Sequence, residues 1–288
     1  MQETLKYLML TGLCCAGGMR RKQGLPTLAY HTIGEGTPIS TSPALLAEQL
    51  AYLRAEGYQS LTLRAAHEAS QGGVLPEKPV VITFDDGYED FLDTAVPILR
   101  EHGMVATVFV VSGRVGGRGT WRRHPAIPAL PLMSWDQLRA SQSLGIDLQI
   151  HTRTHCHLSR LEPDAAYREI ADARAALEDQ LARPARFLAC PYYDCSPAVR
   201  EAARRAGLAG MCAGAFGIES RQPADWFDFQ RMGMDHISGS RREKMTFFRA
   251  CLIGAGQRYV HLREAFLQAI GRRKPQPWEY AELEDCES

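Results

Sequence analysis

The sequence predicts an α/β fold in which a parallel sheet curls into a barrel of about seven strands. Short runs of apolar and β-branched residues alternate with longer segments whose apolar residues recur at every third or fourth position. That alternation is typical of repeated strand–helix units around a parallel sheet or barrel. Seven candidate strands, enough for a barrel that is almost closed, lie at residues 27–31, 79–84, 105–112, 146–151, 186–190, 208–213 and 231–235.

The segments between these strands carry the helical period. They are residues 44–56, 89–102, 164–181 and 197–206. One face of the third segment carries Ile170, Ala173, Leu177 and Leu181. We therefore expect that helix to pack one side on the sheet, as scaffold. Residues 113–131 are rich in Gly, Pro and Arg and lack any period, so they are expected to form a long loop beside the mouth of the barrel.

Length and charge limit the class of protein. At 288 residues the chain is long enough for one barrel domain, which commonly runs to about 250 residues. We expect residues 1–24 to form an N-terminal helix or extension, 25–271 the barrel domain and 272–288 a polar tail. The 33 Lys and Arg residues balance the 33 Asp and Glu residues, so there is no overall basic charge to attract nucleic acid. Nucleic acid is therefore not expected as a partner.

The N-terminal segment and the cysteines bear on the compartment. Residues 8–19 are apolar, but the run is shorter than the roughly 20 residues that a membrane-spanning helix needs. Arg20, Arg21 and Lys22 follow the run, whereas a signal peptide carries its positive charge before it. We interpret the run as a helix packed on the barrel, with an uncleaved membrane anchor as the alternative. The eight cysteines include no CxxC pair, which favours reduced thiols and a cytoplasmic protein, with export as the alternative.

Two acidic residues end the most apolar candidate strand. Residues 80–84 are Val-Val-Ile-Thr-Phe, and Asp85, Asp86 and Gly87 follow at once. Carboxylates at the carboxyl end of a core strand are costly unless their charge is used, and βα barrels build their sites at that end. Gly87 can adopt a positive φ and turn the chain, so that both carboxylates reach the mouth. Asp before Gly is also common in ordinary turns and helix caps, so this segment alone leaves both interpretations open.

Two histidines follow another candidate strand. Residues 146–150 are followed by His151, and His155 comes four residues later. Two such imidazoles converge on one ion if the residues between them coil, and a carboxylate from a neighbouring strand end completes the ligand set. Single histidines are mostly structural, and the nearby His157 weakens an argument from counting. Together with the Asp pair, however, the two histidines favour a metal site.

The segments TFDDG at 83–87 and HTRTH at 151–155 resemble the first two motifs of the polysaccharide deacetylases, the NodB-like carbohydrate esterases of family 4. The resemblance extends from LAYHTI near residue 30 to the QRMGMD segment, and it is closest to the poly-N-acetylglucosamine deacetylases whose domain opens with a Tyr-His-x-Ile segment. It implies a distorted (β/α)7 barrel in which Asp85 is the general base. It also implies that Asp86, His151 and His155 bind one divalent ion, most commonly Zn²⁺, with Co²⁺ or Ni²⁺ as alternatives.

The third motif of the family is an Arg five residues before a Pro and an aromatic residue, which Arg186, Pro191 and Tyr192 match. The resemblance implies that Arg186 orients the carboxylate of Asp85 and that the chain near Tyr192 donates an N–H group to the oxyanion. Pro191, Tyr192 and Tyr193 are the predicted substrate-binding residues. Tyr193 stands where relatives often have glycine, a change that would narrow the groove or reshape the oxyanion donor. The alternative role for Arg186 is a surface salt bridge.

The catalytic acid that protonates the leaving amine is predicted to be His31. The late motifs of the family have only weak candidates, namely Asp225 with Trp226, His236 and His261. His31 instead ends an aliphatic strand at the start of the domain, and the first and last strands of a barrel lie side by side. A histidine titrates near neutral pH, which suits proton donation to an amine. The alternative is that His31 makes only a structural hydrogen bond.

The resemblance, together with these residues, implies a metal-dependent hydrolase that removes N-acetyl groups from amino-sugar residues of a polysaccharide or glycoconjugate. A deformylase or amidase acting on a small or lipid-linked sugar would share every motif. A non-catalytic glycan-binding descendant is the other alternative, against which the intact base and ligands argue. The predicted partner is a carbohydrate bearing N-acetylated amino sugars, and the aromatic residues that could stack on its rings are Trp121, Trp135, Tyr192 and Tyr193.

Overall fold

A computed structural model describes residues 24–121, 127–214, 219–220, 223, 225–235 and 239–256. Its centre is a parallel sheet whose strands are β1 Thr27–Tyr30, β2 Pro79–Phe84, β3 Thr107–Val110, β4 Asp147–Ile150, β5 Phe187–Ala189, β6 Gly210–Gly214, β7 Phe229–Gln230 and β8 Met232–Gly233. Around the sheet the order is β7-β6-β5-β4-β3-β2-β1-β8. A further strand, Gln59–Leu61, pairs with β2 outside this path.

The last two strands bring the two edges of the sheet together. β7 pairs with β6 through Phe229 opposite Cys212, and β8 pairs with β1 through Met232 opposite Leu28. Only Arg231 separates β7 from β8, so one continuous segment contacts both edges. The prediction of a nearly closed (β/α) barrel is confirmed. The seventh predicted strand, 231–235, is in fact two short pieces that begin two residues earlier.

Helices cover the outside of the barrel. They are α1 Pro43–Ala55, α2 Leu63–Ser70, α3 Val96–Glu101, α4 Trp135–Ser143, α5 Pro163–Leu181, α6 Pro197–Arg205 and α7 Arg241–Leu252. The four predicted helices are confirmed as α1, α3, α5 and α6, with a π-helical turn at Phe91–Ala95 leading into α3. Five of these seven described helices begin after a Ser or Thr whose side chain accepts an N–H of the first turn, the usual N-cap arrangement.

Alternation along the strands divides the core into two layers. In β2, Val80, Ile82 and Phe84 belong to the cluster under the helices, whereas Val81 belongs to a second cluster with Phe109 and Phe187. Because successive strand residues point to opposite faces, the second cluster fills the barrel interior. By the same alternation, Asp85 continues the inward row of Val81 at the carboxyl end of β2. The fold therefore directs this carboxylate into the mouth of the barrel.

The predicted loop at 113–131 contains a 3-10 turn, Ser112–Arg114, and a short antiparallel pair of Arg118–Gly119 with Leu130–Pro131. The predicted N-terminal helix and the predicted polar tail lie outside the described residues. Within the described part of the chain, no helix is both long enough and apolar enough to cross a membrane. Five cysteines there, Cys156, Cys190, Cys195, Cys212 and Cys251, are free thiols. The compartment stays a prediction.

Candidate metal centre

Asp86, His151 and His155 meet at the mouth of the barrel. Nε2 of His151 lies 3.2 Å from Oδ1 of Asp86, and Nε2 of His155 lies 3.1 Å from the same oxygen. All three side chains are buried, and their candidate ligand atoms lie within 4.8 Å of one another. The structure thus brings together the three residues that the sequence predicted as metal ligands.

Unusual backbone angles produce this convergence. Asp86, Thr152 and His155 have φ values of 75°, 63° and 66°, in the left-handed region that residues other than glycine rarely adopt. Among the described residues, five of the six non-glycine positions with positive φ lie in this centre, because Tyr192 and Tyr193 share the property and only Ala182 is elsewhere. Such backbone strain clusters at functional sites.

The hydrogen bonds of His151 test whether the centre suits a cation. Nδ1 of His151 lies 2.8 Å from the main-chain oxygen of Ala189. A carbonyl oxygen only accepts, so Nδ1 carries a proton, and in the neutral imidazole Nε2 presents its lone pair to the carboxylate of Asp86. Two acceptors at this distance repel each other unless a proton or a metal ion lies between them. A set of two imidazoles and one carboxylate therefore fits a divalent metal ion, with further positions left for water or substrate.

Asp85 is held by an arginine from the far end of the chain. Nη1 and Nη2 of Arg231 donate to Oδ1 and Oδ2 of Asp85 at 2.7 and 2.8 Å, and Nη1 also donates to Oγ1 of Thr83 at 3.1 Å. Burial alone would raise the pKa of Asp85, but the charge of Arg231, helped by His151 and by the hydrogen bonds, brings that pKa below its ordinary value. The carboxylate is therefore ionised and fixed in orientation.

Arg231 is itself fully buried, with a side-chain exposure of 0%. Its guanidinium lies between two rings, 5.2 Å from the centroid of Phe109 and 5.7 Å from that of Tyr193. Both contacts have cation–π geometry. The aromatic walls keep water from the pair of Arg231 with Asp85, which strengthens the interaction between the two charges.

His31 lies beside Asp85 on the neighbouring strand end. The N–H of Asp85 donates to the carbonyl of Tyr30 at 2.9 Å, which places His31 next to the base. Nδ1 of His31 lies 3.1 Å from Oδ2 of Asp235, and the two side chains are 9% and 10% exposed. Asp235 follows β8, which pairs with β1, so the first and last strands lie side by side as predicted. An imidazole that donates Nδ1–H to a carboxylate is oriented and is more easily protonated.

Comparison with known families supports this interpretation of the centre. Residues 72–211 match the model of the family described as polysaccharide deacetylase, and this range contains Asp85, Asp86, His151 and His155. Residues 72–211, just under half of the 288-residue chain, therefore resemble the polysaccharide deacetylase family.

Three relatives show the extent of the similarity. The chain is 28% identical over 184 residues to the protein YxkH of Bacillus subtilis, which covers 64% of this chain and 62% of that protein. It is 31% identical over 145 residues to the poly-beta-1,6-N-acetyl-D-glucosamine N-deacetylase of Escherichia coli, which covers 45% of this chain and 20% of that protein. The chain thus spans less than two thirds of either relative. The solved deacetylase PplD of Streptococcus pyogenes, in complex with acetate, superposes with a TM-score of 0.64 at 26% identity, covering 73% of this chain and 92% of that one.

The third motif of the deacetylase family requires a correction. The sequence predicted that Arg186 orients Asp85, but Arg186 is exposed and lies just before the amino end of β5. Its charge acts on His67, whose ring contacts Phe187 and Trp226. Arg231 occupies both oxygens of Asp85 instead. The predicted contact of Arg186 with Asp85 is therefore wrong, because Asp85 follows the carboxyl end of its own strand.

The two tyrosines that follow Pro191 contact different residues of the centre. Pro191 is buried, and Tyr192 and Tyr193 are half-buried. The Tyr192 hydroxyl lies 3.2 Å from Nδ1 of His155, whereas the Tyr193 ring covers Arg231. The ring of Tyr192 stacks on His157, and the ring of Trp121 stacks on His155 with centroids 4.5 Å apart. One face of each of these rings, and of Tyr193, is thus occupied from within the protein. Contacts of Pro191, Tyr192 and Tyr193 with substrate stay predictions.

Sequence reasoning missed Arg231 and Asp235 as site residues, although a signal was present. Met232 and Met234 lie in the outer core cluster under the helices, so Arg231 and Asp235 share the opposite, inward face of this segment. A charged residue on the inward face of a barrel is costly unless it is paired. Two charges four residues apart in that row could therefore have indicated partners inside the barrel.

Proposed function

We propose that this chain is a metal-dependent hydrolase that removes N-acetyl groups from amino-sugar residues of a polysaccharide or glycoconjugate. One observation carries the proposal: a base, Asp85, fixed by Arg231 stands directly beside the buried ligands Asp86, His151 and His155 at the open end of the barrel. A non-catalytic glycan-binding protein would have no use for a fixed, ionised carboxylate next to such a cluster.

The side chains have complementary tasks in hydrolysis of the amide. Asp86, His151 and His155 would hold a divalent ion, which would polarise the acyl carbonyl and acidify a water molecule. Asp85 takes the proton of the attacking water while Arg231 holds its carboxylate in place. A carbon–oxygen bond forms, and the carbon–nitrogen bond then breaks. His31, oriented by Asp235, donates the proton that the departing amine needs. The products are acetate and the free amino sugar.

The names of relatives support the substrate class. The Escherichia coli relative is named for poly-beta-1,6-N-acetyl-D-glucosamine and a Bradyrhizobium relative for chitooligosaccharide. We therefore propose N-acetylglucosamine oligomers as substrates, with Zn²⁺ as the ion and Co²⁺ or Ni²⁺ as alternatives. Imidazole and carboxylate ligands suit all three ions, and Zn²⁺ most often takes such a set.

The test is release of acetate from β-1,6- and β-1,4-linked N-acetylglucosamine oligomers by the purified, Zn²⁺-loaded chain. Acetate and new amino groups should appear in equal amounts. Asp85→Asn, which cannot accept the proton, is the matched control and should release little of either. Release of formate from N-formyl sugars alone would favour the deformylase alternative. Saturable oligomer binding with no acetate from either linkage would contradict the proposal.

A further inference from the structure

The hydroxyl of Tyr192 lies between a predicted metal ligand and the main chain of a neighbouring loop. Its Oη is 3.2 Å from Nδ1 of His155 and 3.4 Å from the main-chain oxygen of Trp121. The carbonyl of Trp121 can only accept a hydrogen bond, so the phenol proton points toward it. The phenol oxygen is then left to accept from Nδ1–H of His155. His155 therefore donates to Tyr192, and Tyr192 donates to Trp121.

This direction has a consequence for the other imidazole nitrogen. With its proton on Nδ1, His155 presents the lone pair of Nε2 toward Asp86, 3.1 Å away. Metal-bound histidines commonly donate their second N–H to a fixed acceptor, which sets the tautomer and raises the basicity of the ligand. His151 uses the main-chain oxygen of Ala189 for this purpose. His155 uses a side-chain hydroxyl, which a single substitution can remove.

We propose that Tyr192 is a positioning residue of the metal centre, whose hydroxyl holds His155 in the tautomer and orientation that bind the ion. The inference rests on the proposed function, because it concerns the same centre. It gives the aromatic residue of the third motif a task beyond contact with substrate. Tyr192 acts through His155, so its effect is expected first in metal affinity.

The surroundings of Tyr192 show that its hydroxyl is held in place. The ring stacks on His157 with centroids 3.9 Å apart and planes 13° from parallel. Nδ1 of His157 lies 3.6 Å from Oδ2 of Asp194, and that oxygen accepts the N–H of Ser159 at 3.0 Å. On the other side, the ring of Trp121 stacks on His155 at 4.5 Å. A ring packed in this way loses little rotational freedom when its hydroxyl makes both bonds.

The backbone at Tyr192 is shaped for this contact. Its φ and ψ are 57° and 13°, in the left-handed region that costs a residue other than glycine of the order of 1–3 kcal/mol. Tyr193, with φ of 56°, follows directly and turns its ring to Arg231. The two tyrosines share a loop and a backbone conformation, but their side chains serve different partners. Tyr193 is therefore a matched control for Tyr192.

The experiment compares Tyr192→Phe with Tyr193→Phe in the full chain. Each substitution removes one hydroxyl and keeps the ring. The Kd for Zn²⁺ is measured by competition with a chromophoric chelator, starting from metal-free protein. Tyr192→Phe should weaken Zn²⁺ binding by about 10–100-fold, the usual effect of losing a partner of a metal-bound histidine. Tyr193→Phe should stay close to the wild-type Kd.

Two further readouts separate positioning from packing. Thermal unfolding of the metal-free proteins should show Tyr192→Phe close to wild type, because the stacking on His157 is kept, whereas Tyr192→Leu should lose both stability and affinity. In ¹⁵N NMR of metal-free wild type, neutral His155 should be protonated on Nδ1. A wild-type Kd for Tyr192→Phe, or a proton on Nε2 of His155, would overturn this inference alone. A wild-type chain that binds no Zn²⁺ would overturn the proposed function together with it.

Discussion

Replacing Arg231 by leucine should destabilise the fold because it leaves the carboxylate of Asp85 buried without its partner. Both oxygens of Asp85 accept from Arg231, at 2.7 and 2.8 Å, and the arginine is fully buried. Removing one partner of a buried ion pair typically costs about 3–5 kcal/mol, most of it the penalty of an uncompensated charge. A domain of this kind is stable by about 5–15 kcal/mol. The variant should therefore fold, with a much smaller margin.

The double variant Asp85→Leu with Arg231→Leu tests whether the two side chains stabilise the fold as a pair. Replacing a whole buried ion pair by apolar residues of similar volume is often neutral or even stabilising. The double variant should therefore be more stable than either single variant, with a coupling energy of at least about 3 kcal/mol. Urea unfolding of the metal-free proteins measures each free energy of unfolding.

Arg186→Leu is the matched control, since it removes an exposed arginine that the sequence had assigned to the same task. Its effect on unfolding should stay within about 0.5 kcal/mol, as for surface substitutions in general. The prediction is wrong if the losses in free energy of unfolding caused by Arg231→Leu and Asp85→Leu are simply additive in the double variant. It also fails if Arg186→Leu destabilises the protein as much as Arg231→Leu does.

Three other predictions follow from the same geometry. Asp85→Asn should retain bound Zn²⁺ in elemental analysis but lose acetate release by about 10²-fold or more, whereas Asp86→Ala should lose both; retention of full metal by the latter would contradict the ligand assignment. His31→Ala should keep the metal and lower turnover by about 10²-fold, and Asp235→Asn should lower it less, so two rates near wild type would remove this pair from the mechanism. Burial, helped by Arg186, lowers the pKa of His67, so the unfolded chain binds a proton more readily. The contribution of neutral His67 to stability is complete above the pKa of this residue in the unfolded chain, about 6.5. It is lost as the pH falls toward the lowered pKa of His67 in the folded protein. The urea midpoint of His67→Phe should therefore rise relative to that of wild type as the pH falls from about 7.5 to about 5.5. A difference in midpoint that stays constant over this range would contradict the prediction.

The strands and the metal ligands were predictable because local patterns determine them. The run 80–84 is apolar at every position but Thr83, which indicates a strand buried on both faces. Polar residues placed directly after such a strand can lie only at its carboxyl end. The same logic applies to His151 after β4. No knowledge of long-range pairing was needed for either segment.

The partner of Asp85 was not predictable in the same way, because it depends on how distant strands align. Arg186 and Arg231 both border strands of the barrel, and spacing to Pro191 favoured Arg186. Position within the predicted strand did not separate them, because each arginine is the first residue of its strand, 186–190 or 231–235. What separates them is that the segment around Arg231 pairs with β6 on one side and with β1 on the other, which brings Arg231 to Asp85.

The left-handed backbone at Asp86 and His155 was also beyond sequence reasoning. Gly87 was expected to make the turn, and its φ is indeed 78°, but Asp86 precedes it with a φ of 75°. Asp and His adopt the left-handed region more often than most other residues, but neither residue type requires it, and here the surrounding structure imposes it. The contacts of Tyr192 depend on a similar turn. At such strained positions, the backbone conformation that the residue type prefers differs most often from the conformation that function requires.

The metal centre is tested most directly by a crystal structure of the Zn²⁺-loaded protein with anomalous data collected at the zinc edge. We expect one strong anomalous peak, about 2.0–2.2 Å from a carboxylate oxygen of Asp86 and from Nε2 of both His151 and His155. Asp85 should remain outside the coordination shell of the zinc ion and stay hydrogen-bonded to Arg231. A zinc peak coordinated by Asp85 in place of Asp86, or no peak at these residues at a stoichiometric zinc content, would contradict this expectation.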